Sequence, residues 1–165
     1  MRSEAEKGDA EISAFRAFVC LSGLSIDPNS VEKREPPEPD LRCRHLDGRV
    51  VTFVVVRLVD ESIAEVFAAG SAARTDAFRT ADPSERMVRR KLTRKYETDF
   101  PIELLVYTDR RLITHDGIIV PILERVFASV PDHPFRRAWF MSNGRVRPLW
   151  EGARARTTWS APLSV

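Results

Sequence analysis

Carboxylate side chains are concentrated just before the most apolar stretch of the chain, residues 50–59. Glu32 and Glu35 lie in a proline-rich segment, and Asp40 ends that segment. Clustered carboxylates hold Mg²⁺, which activates water and stabilises the leaving oxygen when a phosphodiester is cleaved. One economical design places an Asp at the start of one strand, and an acid and a lysine two residues apart on the next strand. Residues 50–59 contain Arg57 but no Asp or Glu, so the second part of this design is incomplete.

A second chemically distinctive stretch is strongly basic. Asp82-Pro83-Ser84-Glu85 is typical of a helix start, because Asp can cap the helix and Pro suits its first position. The predicted helix runs to about Tyr96, and most of its surface is cationic. The cations are Arg86, Arg89, Arg90, Lys91, Arg94 and Lys95. Such a helix could lie along a phosphate backbone and add salt-dependent affinity, or it could be the ordinary solvated face of an amphipathic helix.

The remaining elements follow from hydrophobic periodicity and turn residues. The pattern predicts helices over residues 10–21, 61–70, 84–96 and 117–130, and strands over 41–45, 50–59, 102–107, 136–141 and 146–150. Asp47-Gly48 and Asn143-Gly144 are typical of two-residue hairpin turns. Hairpins combined with strands that return after helices predict an α/β (α+β) fold, in which a mixed central β-sheet is flanked by helices. We expect a disordered tail over 1–8, a single domain over 9–151 and a C-terminal tail over 152–165.

Residues 9–110 resemble the PD-(D/E)XK nuclease superfamily, which has the restriction-endonuclease-like fold. The resemblance rests on a leading helix, the Pro39-Asp40 dipeptide, a hairpin, a hydrophobic second strand and the strand that follows the next helices. It implies that Asp40 is a catalytic residue and a metal ligand, and that Mg²⁺ is the cofactor of an active member. It also implies that Glu32 or Glu35 is the auxiliary acid that some members carry.

The sequence departs from the family's pattern at the (D/E)-x-K position. In either register of the second strand, Val54-x-Val56 or Val55-x-Arg57, the expected carboxylate is a valine. Arg57 could replace the lysine as a fixed positive charge, although it cannot exchange protons. Asp60 or Glu61, at the far end of the strand, could supply the acid that completes the metal site.

Three functions are compatible with these residues. The first is a degenerate nuclease-like domain with little or no hydrolytic activity, which retains nucleic-acid binding through the basic helix. The second is an active Mg²⁺-dependent DNA endonuclease or exonuclease that uses Asp40 and a displaced acid. The third is a protein–protein interaction module, such as a homodimer, that has no nuclease role.

The composition of the chain indicates a cellular compartment but does not indicate an activity. The two cysteines, Cys20 and Cys43, form no CxxC pair, and the three histidines are scattered, which disfavours a zinc site and fits a reducing compartment. The polar N-terminus lacks the apolar run of a signal peptide, and no run approaches the ~20 apolar residues of a membrane span. We expect a cytoplasmic protein without membrane contact. A net charge of +2 does not by itself imply a polyanionic partner.

Overall fold

The computed structural model describes residues 4–58, 83–108 and 116–152. These residues form three α-helices, a short 3-10 turn at Pro28–Ser30 and six strands. The helices are α1 (Glu4–Ser22), α2 (Pro83–Leu92) and α3 (Asp116–Ser129). The strands are β1 (Glu32–Lys33), β2 (Leu41–Arg44), β3 (Val50–Leu58), β4 (Ile102–Thr108), β5 (Phe135–Ser142) and β6 (Arg145–Glu151). The two-residue strand β1 was not predicted from the sequence.

The strands form one mixed sheet in the order β1-β2-β3-β4-β5-β6. The pairs β1–β2 and β2–β3 are antiparallel, the pairs β3–β4 and β4–β5 are parallel, and the pair β5–β6 is antiparallel. The predicted mixed sheet flanked by helices is therefore confirmed. The restriction-endonuclease-like version of this fold stays a prediction.

Alternation along β3 divides the core between the two faces of the sheet. Phe53 and Val55 pack in the same cluster as Phe18 of α1. Val54 and Val56 pack in the opposite cluster, which also contains the apolar side chains of α2 and α3. Both faces of β3 are covered, as its β-branched sequence predicts, because successive side chains point to opposite sides.

The two hairpin turns differ in length. Asn143 and Gly144 have φ angles of 50° and 71°, so this turn is the two-residue type I′ turn that was predicted. The turn between β2 and β3 is longer than predicted. The Gly48 N–H donates to the His45 carbonyl at 2.9 Å, and Gly48 takes the left-handed position with φ 89°. Only glycine enters this conformation without steric cost, which explains why the chain turns there.

The helix boundaries also differ from the predicted ones. α1 begins at Glu4, so part of the tail predicted as disordered is helical, because its Ala, Glu and Lys residues have high helix propensity. α2 ends at Leu92 rather than Tyr96, and the Thr93 hydroxyl donates to the Arg89 carbonyl near this end. The predicted helix over 61–70 lies outside the described residues. Across the described ranges, the helices fall short of the combined length and apolarity that a bilayer span requires.

Candidate nuclease-like site around Asp40

Asp40 lies directly before β2, at the point where the pairing of β2 with β3 stops. The last paired residues are Leu41 and Phe53. Beyond them, the Asp40 Oδ2 oxygen accepts a hydrogen bond of 2.8 Å from the Val55 amide. The carboxylate thus provides an acceptor for a strand amide where β2 no longer pairs with β3. Asp40 therefore has a structural role in the sheet, whatever chemistry it takes part in.

Lys91 is the cation beside this carboxylate. Its Nζ lies 3.6 Å from Asp40 Oδ2, and the two side chains are 25% and 24% exposed. α2 holds Lys91 there because Val88 and Leu92, on the same helix, are buried in the core. Because both side chains are partly exposed, water and salt weaken the attraction between Asp40 and Lys91. Either side chain can therefore leave the pair and bind another partner.

Tyr96 completes the immediate surroundings of Asp40. Its hydroxyl donates to the Lys91 carbonyl at 3.3 Å. Burial raises the pKa of Tyr96, the negative charge of Asp40 raises it further, and the nearby Arg94 guanidinium acts in the opposite direction. Arg94 lies 5.5 Å from the centre of the ring. Tyr96 is therefore neutral at physiological pH, and its hydroxyl serves as a hydrogen-bonding group.

The faces of β3 separate the two registers considered for the missing acid. Val54 and Val56 belong to the face that packs on α2, the helix that carries Lys91. Val55 and Arg57 alternate onto the face toward α1. The register Val54-x-Val56 therefore shares a side of the sheet with Lys91, and Arg57 lies on the other side.

The other acids predicted as ligands are distributed along the proline-rich segment. Glu32 forms a 2.6 Å ion pair with Arg42 across β1 and β2, and the hydrogen bond and charge of Arg42 lower the pKa of Glu32. The Glu35 side chain is exposed. Asp60 lies outside the described residues. Within residues 4–58, 83–108 and 116–152, no group of three or more His, Cys, Asp or Glu side chains could hold a metal ion.

The basic residues of the α2 region differ in their partners. Arg89 forms an i,i+4 ion pair of 2.8 Å with Glu85, and Lys91 is paired with Asp40. Four further cations are exposed: Arg86 and Arg90 on α2, and Arg94 and Lys95 in the segment that follows it. Arg94 lies over the ring of Tyr96, so positive charge continues from the helix to Tyr96.

The most buried charges in the described part of the chain were missed from the sequence. Glu103 on β4 accepts hydrogen bonds from Arg137 Nε and Nη2 at 2.9 and 2.7 Å, and from Trp139 Nε1 at 2.8 Å. A signal was present, because Glu103 is the only acid in an otherwise apolar strand and Arg137 lies within another. Parallel pairing of β4 and β5 brings Glu103 opposite Arg137.

Comparisons of this chain with protein-family models, with curated proteins and with solved structures find no match. The resemblance to PD-(D/E)XK nucleases therefore rests on the residues described above. Chemically, the site offers one carboxylate, one ammonium group and one phenol at the edge of β3, next to a row of exposed cations. Among these groups, the exposed cations are the ones that can attract an anion by charge.

Proposed function

We propose that this chain is a nuclease-like domain that binds nucleic acid through its phosphate backbone and has little or no hydrolytic activity. The order of its elements supports the proposal: a helix, a strand preceded by Pro39-Asp40, a hairpin, an apolar strand, a helix and a parallel strand. The resemblance to PD-(D/E)XK nucleases implies the same order. The observation that carries the proposal is the contact of the Asp40 carboxylate with β3 at Val55, with Lys91 3.6 Å away.

The same contact explains why hydrolysis would be weak. Mg²⁺ needs several oxygen ligands, and the resemblance expects a second carboxylate on β3 beside Asp40. Val54 and Val55 occupy both candidate positions, and both are buried. Asp40 is also bound to an amide and paired with Lys91, which reduces its capacity to hold a metal.

Binding would come from the cations of α2 and the turn after it. Each phosphate neutralised by a Lys or Arg releases condensed counterions, so affinity falls steeply as salt rises. The exposed side chains of Arg86, Arg90 and Lys95 can reach a backbone without losing an ion pair within the described part of the chain. Lys91, being paired with Asp40, would contribute less.

Salt-dependent binding tests the proposal directly. Fluorescence anisotropy with a short labelled DNA duplex, across about 50 to 200 mM salt, gives the slope of log Kd against log salt. A variant with Gln at four positions should reduce the slope by about 2 to 4, because each lost phosphate contact removes about 0.9. The four positions are Arg86, Arg90, Arg94 and Lys95.

The matched control places Gln at two exposed cations of β6, Arg145 and Arg147. It should leave the slope unchanged. Affinity that ignores salt, or equal slopes for the two variants, would rule out backbone binding by the α2 region. Mg²⁺-dependent cleavage by the unmodified protein would instead favour an active nuclease in which Asp40 works with Asp60.

Restoring the absent acid tests the nuclease-like ancestry separately. Val54→Glu puts a carboxylate on the face of β3 toward Lys91 and Asp40, and Val55→Glu puts the same group on the opposite face. Both variants bury a carboxylate and should melt earlier. Only Val54→Glu should regain melting temperature when Mn²⁺ is added, because metal binding offsets the burial cost. Equal Mn²⁺ responses in the two variants, or none, would count against the assignment.

A further inference from the structure

A cleft of about 750 Å³ opens at the hairpin end of β2 and β3, whereas Asp40 lies at the other end of β2. Its walls come from the segment after α1, the β2–β3 turn and the beginnings of β3, β4 and β5. The lining includes Leu24, His45, Leu46, Arg49, Glu103 and Arg137. This volume is in the range of small-molecule sites in proteins, and the lining mixes apolar and charged groups as such sites do.

A buried arginine with unused donors borders the cleft. The Arg137 side chain is 10% exposed, and its Nε and Nη2 both donate to one oxygen of Glu103. A guanidinium carries five N–H donors, so three remain after these two bonds. They have no hydrogen-bond partner within the ranges that the structure describes. Because Arg137 lines the cleft, a ligand there could accept from the edge of the guanidinium that Glu103 leaves open.

The walls offer a second polar group and an apolar surface. Burial, and then the charge of Arg49, lower the pKa of His45, so its imidazole is neutral at pH 7 and can both donate and accept. Arg49 is itself held by Asp47 at 2.7 Å. Leu46, which is 73% exposed, and Leu24 add apolar contact area.

We propose that this cleft binds a small organic oxyanion, a carboxylate or a phosphate ester carried on an apolar body. The oxyanion accepts two hydrogen bonds from the open edge of Arg137, because two oxygens of a carboxylate or phosphate match the spacing of the N–H groups in the planar guanidinium. His45 supplies a further hydrogen bond, and the apolar body packs against Leu24 and Leu46. Glu103 does not oppose binding, because it is 1% exposed and its oxygens are already bonded to Arg137 and Trp139.

This site is independent of the nuclease-like proposal, since it uses none of the residues around Asp40. The test uses the full chain and ¹H–¹⁵N NMR titrations, in which the Arg137 Nε–H and Trp139 Nε1–H signals report on the cleft. Benzoate and phenyl phosphate are the two oxyanion probes, and benzamide is the neutral analogue of benzoate. We expect saturable shifts with at least one oxyanion and none with benzamide. The oxyanion that binds with the lower Kd identifies the ligand chemistry as carboxylate or phosphate.

A matched pair of variants at an exposed position keeps the test free of folding effects. Leu46→Glu adds a negative charge at the wall and should bind the oxyanion about tenfold more weakly than the neutral Leu46→Gln, in which the same apolar contact is lost. Arg137→Lys retains the charge facing Glu103 but removes the fork, and it should also bind more weakly. No saturable shift up to about 10 mM of either oxyanion, or equal affinities for Leu46→Glu and Leu46→Gln, would overturn the proposal.

Discussion

Asp40 and Glu103 are both acids paired with a basic side chain, yet they occupy opposite environments in one sheet. Asp40 is about a quarter exposed, accepts one amide hydrogen bond and lies 3.6 Å from Lys91. Glu103 is 1% exposed, and both of its oxygens are bonded to neighbouring side chains of β5. A carboxylate with spare acceptors and access to water can exchange its partner for a ligand. One whose oxygens are all bonded holds strands together.

The free-energy cost of breaking each pair depends on whether water can reach the two charged groups. At the edge of β3, water can solvate whichever group loses its partner, so breaking the pair costs little. For Glu103, which is 1% exposed, removal of one partner leaves a buried charge without its counter-charge. The two acids should therefore respond very differently to the same substitution.

The largest expected effect comes from Glu103→Ala. Loss of this carboxylate leaves Arg137 charged and buried and the Trp139 indole N–H without its acceptor. We expect the free energy of unfolding in urea to fall by about 3 to 5 kcal/mol. A change below about 1 kcal/mol would mean that water reaches the pair, and the contrast with Asp40 would disappear.

A double replacement separates loss of charge from loss of packing. Glu103→Leu combined with Arg137→Met removes both charges and keeps apolar volume, so no unpaired ion is left. We expect this double variant to be more stable than either single replacement, as for buried pairs generally. If its loss of stability equals the sum of the two single losses, the ion pair is not the origin of the effect.

The same two acids show which features of the structure could be predicted from the sequence and which could not. Strands β2 to β6 were predicted within one or two residues, because their signals are local: β-branched runs, alternation and turn residues. The pairing of Glu103 with Arg137 was not predicted. It requires β4 and β5 to lie side by side in a register that shifts at Ile102 and Glu103, and neither property is local to one segment.

The Asp40 site was predicted in part for the same reason. Asp40 could be identified from the sequence because Pro39-Asp40 is a contiguous dipeptide. The lack of an acid among the valines of β3 could be identified in the same way. Lys91 was predicted as one of the helix cations that could contact a phosphate backbone or solvent. Periodicity gives the buried side of α2 but not which groups its polar side chains contact. Only tertiary packing brings Lys91 to Asp40 at the edge of β3.

A smaller effect is expected at Asp40. Asp40→Ala leaves the Val55 amide without its acceptor and should lower the free energy of unfolding by about 1 to 2 kcal/mol. Asp40→Asn keeps a side-chain oxygen for this amide and should be milder. It also frees Lys91 from its counter-charge, so DNA affinity at low salt should rise in this variant. Equal destabilisation by Ala and Asn would show that the hydrogen bond to Val55 contributes nothing.

The smallest effect concerns two of the three histidines, His45 and His133, which lie on opposite sides of the sheet. His45 borders the cleft on the α1 side, and His133 packs against Trp150 on the α3 side with ring centres 4.2 Å apart. Burial lowers the pKa of both below the ordinary 6.5. His133 Nδ1 also accepts from the Phe135 amide at 3.3 Å, and protonation would break this bond.

The sign of the pH dependence of stability follows from these lowered pKa values. Below about pH 6.5 the unfolded chain binds more protons at both imidazoles than the folded chain, so the free energy of unfolding must fall as pH falls. Above about pH 7.5 it should be flat with respect to these groups. Urea unfolding between pH 5 and 8 measures this, in a window above the range where the carboxylates titrate. His133→Phe should reduce the slope more than His45→Gln, since His133 is the more buried ring. A slope of opposite sign would mean that the folded state stabilises an imidazolium, and then the neutral His45 assumed for the cleft would be wrong as well.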